Sequence, residues 1–215
     1  MTGQVRTVDG RVAGRRGQAT RTKLLECLGE MLDSSPYRDV TVIDVARRAG
    51  TSPATFYQYF PDVEGAVLEL AEAMAREGAG LTDLVAGRSW VGKSGARTAE
   101  ELVEGFLSFW RRNEAILRVV DLGAAEGDKR FTRIRLRIIS AVSGSLADSI
   151  KDLQAKGKVD ASVSPPAVAA SLVAMLAAVA AHQKGFQTWG VRQAELKPNL
   201  ALLVHLGMTG RKPPK

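Results

Sequence analysis

Apolar residues recur at helical spacing along most of the chain, and no segment sustains the period-two alternation of a strand. Leu24, Leu28, Met31 and Leu32 share one face of a helix that the pattern starts near Thr20 and that Ser34, Ser35 and Pro36 end. Thr41, with Asp44 three residues later, reads as a capping box opening a second helix whose buried face is Val42, Val45, Ala46 and Ala49. Gly50 follows, the residue expected where a helix ends through a left-handed turn. Ser52 then predicts an N-cap with Pro53 at the first helical position, and the short third helix runs through Phe60 until Pro61 stops it. Asp62 can cap a fourth helix, over about residues 62–78, that carries Val67, Leu68, Leu70, Ala71 and Met74.

Beyond it, Gly78–Arg97 is expected to be a loop or a broken helix. Thr98 and Glu101 predict a second capping box, opening a helix with Leu102, Phe106, Phe109 and Trp110. Another helix follows Asn113, and a long one covers Lys129–Ala155. Ser164-Pro165 opens an alanine-rich helix, and the last surrounds Leu200–Leu206 with Pro198 in its first turn. The expected fold is all-α. A basic arm over residues 1–18, read as disordered, precedes a three-helix DNA-binding domain over 19–64. A helical bundle over 79–210 follows for ligand binding and dimerisation.

The second and third helices, joined by a tight glycine turn, have the layout of a helix-turn-helix. Such a device needs its second helix to protrude into the major groove while the first holds it from behind. Val45, Ala46, Ala49 and Phe56 supply the inner packing, and Thr55, Gln58 and Tyr59 supply an outer face able to hydrogen-bond bases or phosphates. The helix starts at Thr41 and Ser52 can add backbone amides aimed at phosphates. The bland alternative is a core helical pair with incidental polar residues, and Tyr57 in particular also reads as a packing residue.

This stretch resembles the TetR family of bacterial transcriptional regulators. The resemblance rests on the opening Thr41-Val42-Ile43-Asp44-Val45-Ala46, the Ala49-Gly50 turn followed by Thr51-Ser52-Pro53-Ala54, and Thr55-Phe56-Tyr57-Gln58-Tyr59-Phe60. With the leading Arg21–Leu32 helix and the trailing Glu64–Leu70 it covers about a quarter of the chain, in fixed register. It departs at Val63-Glu64, where the family carries a Lys-Glu pair whose lysine reaches a phosphate. That contact is missing here or supplied elsewhere, by Arg15, Arg16 or Arg21. The expected DNA-binding set is therefore Arg15, Arg16, Arg21, Thr41, Thr51, Ser52, Pro53, Ala54, Thr55, Tyr57, Gln58 and Tyr59.

Charge supports the same picture without deciding it. Of the net +7, residues 1–23 hold six cations against Asp9 alone and the last five residues hold three, which leaves the body near −1. A basic arm beside a folded domain suits a polyanion, although such arms are as often solubilising tails. A single cysteine, Cys27, precludes an intramolecular disulfide framework and fits a reducing, cytoplasmic location. The longest near-apolar run, Ala167–Ala181, is shorter than the roughly 20 residues a bilayer requires, and residues 1–30 lack the apolar run of a signal peptide.

For the C-terminal part the resemblance implies a homodimer paired through the last two helices, on a palindromic operator. Ala170, Ala174, Ala177 and Ala181 would allow close helix approach, with Leu203 and Leu206 on the other helix; the alternative is an internal core helix. The resemblance also implies a small-molecule effector, with Phe106, Phe109, Trp110, Leu117, Phe131, Ile134, Ile138, Phe186 and Trp189 as apolar walls and Asp121, Arg135, His182 and Gln183 as polar groups. An aromatic stripe at this spacing is more often core than pocket. Arg130, Arg133 and Arg137, at helical spacing, read first as a solvated face.

The function so implied is a repressor released from its operator by a hydrophobic or aromatic ligand, with the fourth helix as the lever, although activation uses the same device. A non-specific architectural DNA binder is the first alternative; the near-neutral body argues against it. An enzyme is the weaker one: His182 and His205 have no metal-binding motif near them, and no phosphate-binding glycine loop or nucleophile elbow is present. No catalytic residue, metal or cofactor is expected.

Overall fold

The structure, a computed structural model, describes residues 14–213. Most of the arm expected over 1–18 therefore lies outside the described residues, but its last part does not. Helix α1 (Arg15–Ser34) begins with Arg15 and Arg16. Its first turn is held by Gln18 N–H donating to Gly14 O and by the Thr20 hydroxyl donating to Arg16 O. An exposed first turn has no apolar side chain to bury, so periodicity alone starts the helix too late.

Helices α2 (Val42–Arg48), α3 (Pro53–Tyr59), α4 (Val63–Ala79), α5 (Gly92–Arg112), α6 (Glu114–Ala125), α7 (Lys129–Ala155), α8 (Pro165–Ala181), α9 (Gln183–Thr188) and α10 (Gln193–Thr209) complete the chain, with no strand among the described residues. Short 3₁₀ turns cover Tyr37–Asp39 and Gly80–Leu84. The chain forms two compact units, and a single cut near residue 79 does not separate them. Among the described residues, one unit holds those up to Met74 together with Glu114–Ile134; the other holds Ala75–Asn113 and those from Arg135 onward.

In the first unit α1 packs on α2, α3 and α6, around the buried Leu24, Leu28, Leu32, Val45, Phe56 and Phe60. The assignment of α6 to this unit has a visible cause: Arg118 Nη2 donates to Leu32 O at 3.1 Å, and Arg38 pairs with Glu126 at 2.9 Å. No sequence motif signals either contact.

In the second unit α5 packs against α10 and α8. Its core includes Leu102, Phe106, Phe109, Leu146, Val173 and Val204. Helix α5 starts six residues before the expected capping box. Thr98 lies inside it, buried, and its hydroxyl donates to Ser89 O at 2.8 Å and Ser94 O at 3.0 Å. Glu101 pairs with Arg88 and Arg97 instead of closing a box. Gly95 decides this start: a Cβ there would stand 2.2 Å from the carbonyl carbon and oxygen of Trp90, so glycine lets the incoming loop lie on the helix. Ser164 precedes α8 without a side-chain capping bond. Pro198 sits inside α10 rather than in its first turn, and Asn199 Nδ2 donates to the nearby Glu195 carbonyl at 2.8 Å. The short α9 carries no periodic signal and was not expected from the pattern.

Candidate nucleic-acid interface

The turn between α2 and α3 closes by local hydrogen bonding. Thr51 N–H donates to Ala46 O at 2.9 Å and Gly50 N–H to Arg47 O at 3.0 Å, with Gly50 at φ +69°. This is a Schellman ending, and its left-handed residue favours glycine. The next helix then starts at once: Ser52 Oγ accepts Thr55 N–H at 3.2 Å, with Pro53 in the first turn. Thr41 Oγ1 accepts Asp44 N–H at 3.2 Å, and its hydroxyl donates to the Asp44 carboxylate, so the box closes through side chains.

These caps fix what α3 presents. Phe56 and Phe60 point inward, ring centroids 5.4 Å apart, and anchor the helix on α1 and α2. Ser52, Pro53, Ala54, Tyr57 and Gln58 are exposed, and Thr51, Thr55 and Tyr59 are half-buried. Tyr57, 52% exposed, stands edge-on to Phe56 and presents its phenol outward. Residues at the start and outer side of α3 thus form the protruding surface that a major-groove helix requires.

Arg15 and Arg16 are exposed in the first turn of α1, as is Thr41 at the start of α2. Arg21 is different. Its guanidinium lies 5.0 Å from the centroid of the Phe60 ring, pairs with Glu69 at 2.7 Å, and is mostly buried. Phe60 and Glu69 thus engage the guanidinium, whereas Arg15 and Arg16 present theirs to solvent. Val63 is half-buried, and Glu64 beside it pairs with Arg130, which also holds Asp128 at 2.6 Å. The Arg130 hydrogen bonds hold the Asp128 carboxyl down to about 2, and Arg130 is itself raised by Asp128 and Glu64. Burial, then Glu64 and Asp62, push the Tyr37 phenol up.

Sequence reasoning passed over three surface residues here. Ile43 is 57% exposed on α2, Arg47 is exposed on the same helix, and the Lys23 ammonium lies beside the Gly50 turn. Ile43 gave a usable signal: a large apolar side chain off the buried face of Val42, Val45, Ala46 and Ala49.

The expected ligand residues divide between the two units. Leu117, Phe131 and Ile134 are buried in the first, and Asp121 is half-buried there. Phe106, Phe109, Trp110 and Ile138 are buried in the second, where Phe106 and Trp110 stack at 5.9 Å. Arg135 and His182 are exposed, and Gln183 and Phe186 are half-buried. Trp189, 76% exposed, packs edge-on to Phe186 at 5.4 Å. Arg130, Arg133 and Arg137 are exposed, as a solvated face requires, and Arg130 in addition pairs with Glu64 and Asp128.

A capped two-helix hairpin held on a third helix, with a polar outer face on the second, defines a helix-turn-helix DNA-binding protein. Residues 30–70 match the family of bacterial regulatory proteins, tetR family, and residues 81–215 match the tetracyclin repressor-like C-terminal domain. The chain belongs to the TetR family and is a DNA-binding regulator of that family. It is 25% identical to a nucleoid occlusion factor, SlmA, of Shewanella amazonensis, over 66% of this chain and 69% of that one. The fold is similar to that of a TetR-family regulator from Rhodococcus sp., with a TM-score of 0.67, 18% identity, and coverage of 89% of this chain and 100% of that one. It is also similar to SmeT, solved in complex with triclosan, with a TM-score of 0.64, 16% identity, and coverage of 92% and 99%. No helix among the described residues is long and apolar enough to cross a membrane.

Proposed function

We propose that the protein is a homodimeric, sequence-specific transcriptional repressor that a small apolar or aromatic molecule releases from a palindromic operator in the cytoplasm. The observation that carries the DNA-binding half is the outward face of α3, where Ser52, Tyr57 and Gln58 stand exposed on a helix pinned from behind by Phe56 and Phe60. In this reading Gln58 and Tyr57 meet base edges, while Arg15, Arg16, Thr41, Thr51 and the backbone amide at Ser52 meet phosphates. Lys23 and Arg47 add charge beside them.

One recognition helix contacts few bases, so a two-fold dimer is needed for tight selective binding. Helix α8 supports this, being apolar on both sides: Leu172, Val173 and Leu176 are buried, while Ala170, Ala174 and Ala181 are exposed and Ala177 is half-buried. On α10, Leu203 is 51% exposed and Leu206 half-buried. An apolar surface of small side chains suits close packing against a second copy. Effector binding is supported by the family and by the likeness to a regulator solved with triclosan. It works only if the ligand favours the state that does not bind DNA.

The test is a titration of DNA flanking the protein's own gene against scrambled DNA at two salt concentrations. Selective binding with a steep salt dependence is the expected result. Equal affinity for both DNAs favours an architectural binder, and no binding at low salt overturns the interface.

The likeness to a nucleoid occlusion factor favours a second reading, in which the same DNA-binding unit serves nucleoid occlusion. Genome-wide mapping of bound sites separates the two: a few promoter sites favour the repressor, and sites spread over the chromosome favour occlusion.

A further inference from the structure

The second unit contains a partly open cavity of about 220 Å³ where three distant stretches of chain meet. The loop before α5 supplies Trp90 and Val91, the end of α7 and the turn after it supply Leu153 and Lys158, and the end of α10 supplies His205 and Thr209; Arg211 and Lys212 follow at the rim. Two of the lining side chains are almost fully enclosed, Trp90 at 2% and His205 at 3% exposure. Each has a buried ring nitrogen, Trp90 Nε1 and His205 Nδ1, with no hydrogen-bond partner. An indole N–H can only donate, and leaving such a group unpaired in the interior is costly enough that folded proteins rarely do so.

The charged residues that line this cavity have one sign, although Asp152 lines an adjoining cavity that also borders Trp90. The lining residues include Lys158, Arg211 and Lys212 and no carboxylate; the nearest acids in sequence, Asp152 and Asp160, are not among them. Cations often face the carbonyls at helix ends, and both α7 and α10 end here. These ends are already closed by their own backbone: Lys158 N–H donates to Leu153 O at 2.8 Å, Gly157 N–H to Gln154 O, and Gly210 N–H to Leu206 O. The carbonyls of Leu153, Gln154 and Leu206 therefore do not need these cations as partners. The apolar walls, Val91, Leu153 and Val159, leave room for a hydrocarbon body, and the volume lies below the usual range for drug-sized ligands. The loop that carries Trp90 is preset, since Thr98 holds Ser89 O and Gly95 lies against the Trp90 backbone.

We propose that this cavity is a binding site for a compact organic carboxylate, its apolar body against Val91, Leu153 and Val159. The carboxylate is drawn in by Lys158, Arg211 and Lys212, and a small side-chain shift that uncovers the enclosed Trp90 Nε1 and His205 Nδ1 lets it accept from them. The site is separate from the aromatic residues expected to line an effector pocket, and binding here does not require that the protein act on DNA.

The experiment follows the indole N–H signals of the full chain, labelled with nitrogen-15, during titration with benzoate and phenylacetate and, as a neutral control, benzamide. Trp90→Phe identifies the Trp90 signal. The expected result is a saturable shift of that signal with the two acids, at least about tenfold weaker with benzamide and at least about tenfold weaker in the triple variant Lys158→Glu, Arg211→Glu, Lys212→Glu. His205→Gln is expected to weaken binding as well, and the surface triple variant keeps the test alive if that substitution disturbs folding. A Trp90 signal that neither acid moves overturns the proposal, as does equal binding of acid and amide, which would mark a water-filled or merely apolar cavity. Because the readout is ligand binding alone, its failure leaves the operator titration untouched, and the converse holds.

Discussion

Arg21 and Phe60, thirty-nine positions apart in the sequence, meet face to face: the guanidinium stands 5.0 Å from the centroid of the ring while its outer nitrogen holds Glu69. A cation over an aromatic face contributes about 0.5–2 kcal/mol depending on desolvation. This contact ties the start of α1 to the end of α3. Arg21→Ala is therefore expected to lower stability by about 1–2 kcal/mol in urea unfolding. The slope of operator affinity against salt should stay at its wild-type value in the folded variant. A slope reduced by about one unit would return Arg21 to the phosphate contacts.

Gln58 carries the opposite expectation. It is exposed on α3 and no packing depends on it, so Gln58→Ala should leave the melting curve within about 0.5 kcal/mol of the parent. Discrimination between operator and scrambled DNA should fall by about 1–3 kcal/mol, the scale of one bidentate base contact. Fluorescence anisotropy on the two DNAs measures both affinities. Unchanged discrimination would remove Gln58 from the base contacts.

Two helical glycines separate packing from propensity. Gly144, on the exposed side of α7, has nothing within 4 Å of a built Cβ, so Gly144→Ala should raise stability by about 0.5–1 kcal/mol. Gly95→Ala meets the Trp90 backbone and should lower stability by about 1–3 kcal/mol. Thermal unfolding of the pair checks the sign of each.

Leu203 tests the dimer. Leu203 is 51% exposed, so Leu203→Asp should leave the helical circular dichroism intact. Sedimentation should shift from dimer to monomer, and operator affinity should fall with it. A variant that stays dimeric would move the interface away from α10.

The Asp128–Arg130 pair gives a pH dependence. The hydrogen bonds from Arg130 hold the Asp128 carboxyl at about 2, below its ordinary value of 3.8. A folded value below the unfolded one means stabilisation that is present above the unfolded value and lost as pH falls through the folded one. Urea unfolding between about pH 4 and about pH 2 should show this loss in the parent. Asp128→Asn should be flatter across the same window, and matching slopes would show the pair to be without consequence.

The elements that the sequence determines are those whose hydrogen bonds close within a few residues. Gly50 ends α2, Ser52 and Pro53 start α3, and Asp62 caps α4, because each satisfies free amides or carbonyls of its own turn, and that chemistry is written in adjacent residues. The helix-turn-helix is legible for the same reason. Local signals failed where a distant group took the side chain. Thr98 has the composition of a cap, yet Ser89 O and the close approach of Trp90 at Gly95 place it inside α5. Arg21 has the charge of a phosphate ligand, and its contacts with Phe60 and Glu69 are not written in that charge. The joining of α6 to the first unit, and the meeting of Trp90, Lys158 and His205 around one cavity, exist only in the packed chain. A side chain's partner across the fold is fixed by which helices pack together, and that depends on burying the whole apolar surface at once rather than on any short stretch of sequence.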